Sequence, residues 1–447
     1  MNRFRYRIFG DDGWKHGTSA RSFDQTLKRP NPTILFVLIP LLLCSFQAIG
    51  QPASEVGKIN ADVAINLRVE QLSAKLKYDY IATEDTETVI KFYLNDAFSV
   101  KKVKCRLCQS FNFDRQAKPL PSLLINLKEP LLKGRRLNIE IEYDGSLKGI
   151  YKKDYKFLEL GLDNFWFPIH QSIGRFNFNY RISIKTDEPN FQLVSNGRST
   201  RKGKGWVVES KAPDFDIDLV LSETLKVESY RQGGYNLQVV SKNLSKEASA
   251  TLLASMKETL DFYNSSFGSG DQQREVTAVF RPFPPIEGQG GYFRKGYFIL
   301  PRTENVQDLI FPISHELAHY WWLNANQQNA WLNESFAEYS ALLVLRKQQG
   351  VEAFNKLLEQ KKNNSMNLPP VYGFDRTKNR QLTPGVFYRK GVVKLSELES
   401  ELGEQRFLDF LRQVAIAKIG DTDQLIELLA QVASRETADR FLLKLKE

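Results

Sequence analysis

His315-Glu-Leu-Ala-His319 is the stretch around which the rest of the sequence arranges itself. On a helix, residues four apart lie on one face, one above the other with a rise of about 6 Å, so both imidazoles reach a single tetrahedral zinc. Glu316, between them, then lies beside the water that such a site activates. The chain has 4 histidines in 447 residues, which makes this spacing a poor product of composition alone. A helix that buried two histidines and a glutamate for structure alone would bury polarity at a cost. Downstream, Trp331-Leu-Asn-Glu334-Ser-Phe-Ala-Glu338-Tyr339 reads as the next helix. Its two acids stand at i and i+4, so one can bind metal while the other supports it from behind.

Working outward, the chain beyond Asn305 reads as mostly helical, with apolar faces in 342–345, 392–402 and 425–432. Upstream, Leu252, Leu253, Met256, Leu260 and Phe262 follow helical spacing, while 276–280 and 297–300 read as short strands. From Gln51 to about Leu225 the period is that of half-buried strands. Val63, Ile65, Leu67 and Val69 share a face, as do Leu76, Tyr78 and Tyr80. The same holds for Leu137, Ile139, Ile141 and Tyr143, and for Phe176, Phe178, Tyr180, Ile182 and Ile184. Asn196-Gly197 reads as a hairpin turn and Lys202-Gly-Lys-Gly205 as another loop. Gly233-Gly234 marks a boundary. The expected organisation is α+β and multidomain, with an antiparallel β domain over 51–230 and an α-rich domain with a few strands over 231–447. His170 reads as a packed or hydrogen-bonded histidine.

The length excludes a single small module. At 42% hydrophobic and 12% aromatic residues, disorder cannot dominate. Residues 34–46 are apolar or nearly so, short of the roughly 20 that a spanning helix needs and suited to a signal-peptide core. Lys28 and Arg29 precede it, and Ala48-Ile49-Gly50 supplies a cleavage site before Gln51. Residues 1–50 are thus expected to be a signal peptide, or an anchor if uncleaved. Either way the body is exported, to the periplasm or beyond, and meets a membrane only through an uncleaved leader. The leader's seven basic and three acidic side chains account for +4 of the net +10, and no basic cluster points to nucleic acid. Cys44 lies in the leader, without the small residue before it that a lipoprotein signal wants. Cys105-Arg-Leu-Cys108 holds the remaining thiols, read as a structural disulfide rather than a zinc knuckle or a redox pair.

HELAHYWW at 315–322 followed by WLNESFAEY at 331–339 resembles the gluzincin metallopeptidases of the aminopeptidase N and leukotriene hydrolase family, whose pattern is HELAHQW followed by WLNEGFA. Phe165-Trp-Phe-Pro168 and Val194-Ser-Asn-Gly197 extend the resemblance to that family's β domain. The resemblance implies a saddle-like N-terminal β domain, a thermolysin-like catalytic domain and zinc held by His315, His319 and Glu334. Between His319 and Glu334 lie 14 residues, four fewer than in the family, whose spacing would instead select Glu338. The WLNE context assigns Glu334 as ligand and leaves Glu338 as an acceptor for His315.

Phe387-Tyr388-Arg-Lys-Gly391 resembles the family's Tyr-x-Lys-Gly helix start, which makes Tyr388 the donor to the substrate oxyanion. A phenol stays protonated near neutrality and suits that task. The family's substrate strand, Gly-x-Met-Glu-Asn, corresponds to the run from Glu287 through Gly290 and Gly291 to Tyr292-Phe-Arg294. The two glycines keep the backbone approach, but the glutamate that holds the substrate amine is replaced. Glu287 offers a substitute from another position; Arg294, Lys295 and Arg302 either read an acidic side chain or are solvated. The 59 residues after Tyr388 are too few for the family's C-terminal helical domain, which implies a more open cleft.

The expected function is that of an exported zinc metallopeptidase with one Zn2+ per chain, acting on peptide or protein, with aminopeptidase and endopeptidase action both open. Glu316 would take the water's proton and pass it to the leaving amine. The alternative is a gluzincin-fold peptide-binding protein with slow or no turnover. Nothing in the sequence fixes an oligomeric state.

Overall fold

Alternating patterns in the first half become strands whose inward residues lose nearly all contact with solvent, as Ile59, Val63, Leu76, Tyr78, Ile139 and Ile141 do. The computed structural model describes residues 56–447 apart from 173–175, 269–271, 287–289 and 304. The leader reading, with Cys44, and the reading of Glu287 fall outside the described residues. Seven strands form the main sheet, in the order Arg198–Lys202, Gly205–Glu209, Phe178–Thr186, Gly57–Asn66, Gln71–Ile81, Arg136–Ser146, Phe98–Lys104. The sheet is antiparallel except between Gly57–Asn66 and Phe178–Thr186, which run parallel with Gly57 opposite Phe178. This corrects the all-antiparallel expectation: alternation fixes a strand's faces but not its partner's direction. A four-stranded sheet (Cys108–Asp114, Ser122–Leu132, Thr86–Tyr93, Ile169–His170) packs its Phe92 on Tyr78 and Tyr80 of the main sheet. A three-stranded sheet contains Gln192–Ser195, Leu219–Ser222 and Phe157–Leu160. Cys105 and Cys108 form a disulfide between the strands Phe98–Lys104 and Cys108–Asp114.

Two further expectations are corrected. Val69 is 61% exposed, because the strand ends at Asn66, whose side chain accepts from the Val69 amide at 3.3 Å. Asn196-Gly197 is not a hairpin: it carries the chain from the three-stranded sheet into the main one. Asn196 Oδ1 accepts there from the Tyr180 hydroxyl at 2.7 Å and the Asp218 amide at 3.1 Å. A Cβ on Gly197 would fall 2.5 Å from the Glu209 carbonyl, so close approach demands the glycine.

The second half opens on a five-stranded mixed sheet, in the order Lys226–Tyr230, Asn236–Ser241, Glu275–Phe280, Tyr297–Leu300, Tyr292–Arg294. Gly233 and Gly234, at positive φ of 59° and 80°, lie between its first two strands. The turn expected as a boundary is therefore inside the sheet, and the chain changes sheets earlier, between Ser222 and Lys226. Helix α1 (Lys246–Phe267), capped by Ser245 accepting from Ala248 N at 3.1 Å, crosses between two parallel strands. Then come α2 (Ile310–Ala318), α3 (Trp331–Gln349), α4 (Val351–Asn363) and the short α5 (Thr383–Gly385). A π turn over Val386–Lys390 leads into α6 (Gly391–Leu402), followed by α7 (Glu404–Ile416), α8 (Thr422–Val432) and α9 (Arg435–Lys446). Among the described residues no helix is long and apolar enough to cross a membrane.

Candidate active site

Helix α2 is buried nearly all round, and α1 supports it through the Tyr263 hydroxyl, which donates to the Ser314 carbonyl at 3.0 Å. It carries His315 and Glu316, with His319 immediately after its last turn. Helix α3 packs against it and presents Glu334 and Glu338, both buried. Glu334 Oε2 stands 3.7 Å from His315 Nε2 and 3.6 Å from His319 Nε2. All ligand atoms of this trio lie within 4.8 Å of one another. Ligands held about 2.0–2.1 Å from one ion at tetrahedral angles stand about 3.4 Å apart, so the trio fits zinc with a fourth position left for water or substrate.

Each imidazole is oriented from behind. His315 Nδ1 lies 2.7 Å from Glu338 Oε2, with no hydrogen-bond partner elsewhere among the described residues. His319 Nδ1 faces the Trp322 carbonyl at 3.2 Å, and the Trp322 indole donates to Ser340 on α3 at 2.9 Å. Both rings thus turn Nε2 toward the common point, the arrangement that metal-binding histidines need. Burial alone would lower the His315 pKa, but Glu334 and Glu338 raise it to about 10. Burial depresses His319 to about 4. Glu334 and Glu338 are held at about 2 against burial, the first by His315 and the second by Lys361.

Glu316 lies beside these ligands, and burial pushes its carboxyl up to about 7. The glycine strand covers it closely: a Cβ on Gly291 would fall 2.9 Å from Glu316 Oε1 and 2.6 Å from Leu300 Cδ2. The Gly290 carbonyl accepts from Arg281 Nη1 at 2.7 Å, while Arg281 Nε and Nη2 fork onto Glu159 at 2.7 Å each. The two alternatives for Arg294 are both overturned. It is buried, donates from Nε to Asp216 Oδ2 at 2.8 Å and from Nη1 to the Phe293 carbonyl at 2.7 Å, and its Nε lies 3.5 Å from Asp218 Oδ2. Lys295 and Arg302 are exposed, and Lys295 donates to the Pro213 carbonyl at 2.8 Å.

Tyr388 sits in the π turn, a departure from α geometry that often marks functional helices. Its hydroxyl donates to Glu334 Oε2 at 2.7 Å. Next to it, the Phe387 carbonyl accepts from Ser335 Oγ at 2.6 Å, and a Cβ on Gly391 would lie 2.2 Å from that oxygen. The Tyr-x-Lys-Gly pattern thus has a local cause: glycine lets α6 touch α3, and Lys390 donates to the Leu368 and Glu447 carbonyls.

The sequence reading did not find Arg281, Glu159, Asp216 or Lys361, the last joined to Glu338 Oε1 at 2.5 Å. These partners are separated by tens of residues and carry no local pattern. The one available signal was the neighbourhood of Arg294 to the glycine strand, which sequence alone assigns to substrate as readily as to a buried acid.

Residues 298–438 match the family model described as Peptidase family M1 domain. The crystal structure of the M1 zinc metallopeptidase from Deinococcus radiodurans is similar, with a TM-score of 0.65 at 14% identity, covering 88% of this chain and 93% of that one. A mutant of that enzyme bound to a Tyr-Ser-Ala substrate gives 0.64 at 14% identity, covering 88% and 94%. A two-domain M1 zinc metallopeptidase mutant bound to L-tryptophan gives 0.65 at 15%, covering 88% and 94%. No curated protein matches in sequence. The structural likenesses establish the shared two-domain fold, and the match over residues 298–438, which contain His315, His319 and Glu334, makes this part of the chain similar to a Peptidase family M1 domain.

Proposed function

We propose that the protein is an exported peptidase in which Glu316 is the general base, Tyr388 steadies the substrate oxyanion, and the substrate's N-terminus is read differently from the way aminopeptidase N reads it. The convergence of His315 Nε2, His319 Nε2 and Glu334 Oε2 beside Glu316 carries this reading. Zinc held there would polarise the scissile carbonyl and acidify the attacking water. Glu316, a buried carboxyl poised near neutrality, takes the water's proton and hands it to the leaving amine. The Tyr388 phenol, within reach of Glu334, turns its O–H to the oxyanion. The backbone of Gly290 and Gly291 lines the substrate's path, with the Gly290 carbonyl fixed by Arg281.

Altered N-terminal recognition is supported by Arg294, which stands in the region of the family's Met-Glu-Asn and is committed to Asp216 rather than available to a substrate. The Tyr-Ser-Ala ligand of the similar structure supports short peptides as substrates. Export is supported by the leader and by the Cys105–Cys108 disulfide, a bond at home in oxidising compartments.

A digest of mixed peptides, free and N-acetylated, read by mass spectrometry, tests the proposal. Cleavage indifferent to acetylation is expected. Cleavage confined to free N-termini would restore the aminopeptidase reading, and binding without turnover would return the chain to the peptide-binding one. Glu316→Gln is expected to keep its zinc and lose about 10²- to 10⁴-fold in rate; full activity in that variant would remove the assigned base.

A further inference from the structure

Near the end of α4, Lys361 buries an ammonium where two parts of the site meet. Its Nζ lies 2.5 Å from Glu338 Oε1 and donates to the Tyr388 carbonyl at 3.0 Å. Glu338 presents its other oxygen to His315 Nδ1 at 2.7 Å. The Tyr388 carbonyl belongs to the π turn, where the preceding carbonyl is held by Ser335. Side chains from α3 and α4 thus bind two successive carbonyls there. One ammonium therefore secures both the carboxylate that orients a metal-binding histidine and the backbone of the residue whose phenol meets Glu334.

From this geometry we infer that Lys361 is a positioning residue that keeps His315 and Tyr388 in fixed relation to each other. The inference rests on the proposed roles of those two residues. An ammonium is buried at a cost unless it is fully paired, and a lysine head, compact with several donors, serves two acceptors in different directions at once. An apolar residue would pack in α4 without that cost but would leave Glu338 as a buried charge without its counterion.

The test is Lys361→Met, with zinc affinity read by chelator competition and kcat and KM measured at saturating zinc. Zinc affinity is expected to fall about 10- to 100-fold, and kcat to fall with KM little changed. In a Tyr388→Phe background the kcat penalty of Lys361→Met should shrink, because the phenol it positions is gone, while the zinc penalty persists. Zinc affinity equal to wild type, or kcat penalties that simply multiply, would overturn the inference. If the methionine variant does not fold, Lys361→Gln, which loses the charge but keeps N–H donors, is expected to show the same losses at smaller amplitude, and wild-type behaviour there would overturn the inference equally. A wild-type protein that binds zinc without hydrolysing peptides would refute the proposed peptidase chemistry alone, since chelator competition reads Lys361 whatever the reaction.

Discussion

Glu334 and Glu338 stand one turn apart on α3 and meet opposite edges of the same ring, Oε2 of the first facing His315 Nε2 and Oε2 of the second facing Nδ1. Their replacements should differ accordingly. Glu334→Ala is expected to lose stoichiometric zinc, and Glu338→Ala to weaken binding about 10- to 100-fold while still taking up metal at excess. Zinc analysis after gel filtration separates the two, and loss confined to Glu338→Ala would reverse the assignment. His170 gives a second prediction. Its Nδ1 accepts from the Ser172 amide at 3.2 Å and its Nε2 faces the Tyr80 hydroxyl at 3.1 Å, so the neutral ring is fully used, and burial lowers its pKa from 6.5 to about 4. The unfolded chain binds the proton more readily, so this contribution is fully present above about pH 6.5 and is lost as pH falls toward 4, by roughly 3 kcal/mol in all. Chemical denaturation across that window should show a steeper pH slope in wild type than in His170→Gln; equal slopes would refute the account. The convergence of His315 and His319 was legible in the sequence because the i, i+4 spacing converts directly into geometry on a helix. Lys361 and Arg281 were not, because among 62 basic residues nothing local distinguishes a buried one.

At the level of elements, the contact between α3 and α6 depends on Gly391. An added Cβ would stand 2.2 Å from Ser335 Oγ and 3.0 Å from Ser335 Cβ, so even Ser335→Ala would leave the helices crowded. Gly391→Ala is expected to cost about 1–3 kcal/mol of stability. It should also lower kcat, because the displaced helix carries the π turn that holds Tyr388. Thermal unfolding and steady-state kinetics together check this, and an unaffected kcat would detach the turn from the chemistry. The helices and most strands were readable from periodicity. The path between sheets was not: Asn196-Gly197 has the composition of a hairpin, yet its side-chain hydrogen bonds and close approach to Glu209 lead the chain into another sheet. Turn preference describes four residues, whereas the destination of the next strand depends on the face it buries.

For the molecule as a whole, the β domain reaches into the catalytic half through buried charges. Glu159, on the three-stranded sheet, takes the Arg281 fork, and Asp216 holds Arg294 at the edge of the glycine strand. Removing one partner strands the other: Arg281→Met is expected to cost about 3–5 kcal/mol, seen as a lowered urea midpoint. The double variant Glu159→Met with Arg281→Met should recover part of that loss, and strict additivity would show that the two residues act separately. Two domains were expected from length and from the change of period, but this coupling was invisible, because its paired members lie 122 and 78 residues apart. The parallel pairing of Gly57–Asn66 with Phe178–Thr186 spans about as much chain as the Glu159–Arg281 pair, and it has a kinetic meaning. The first strand of the main sheet can take its place between Gln71–Ile81 and Phe178–Thr186 only after more than a hundred further residues have been made, and closing so long a loop slows folding. Until then the edge of that strand is open, so the emerging chain stays longer in an incompletely folded condition, in which a chaperone can still engage it.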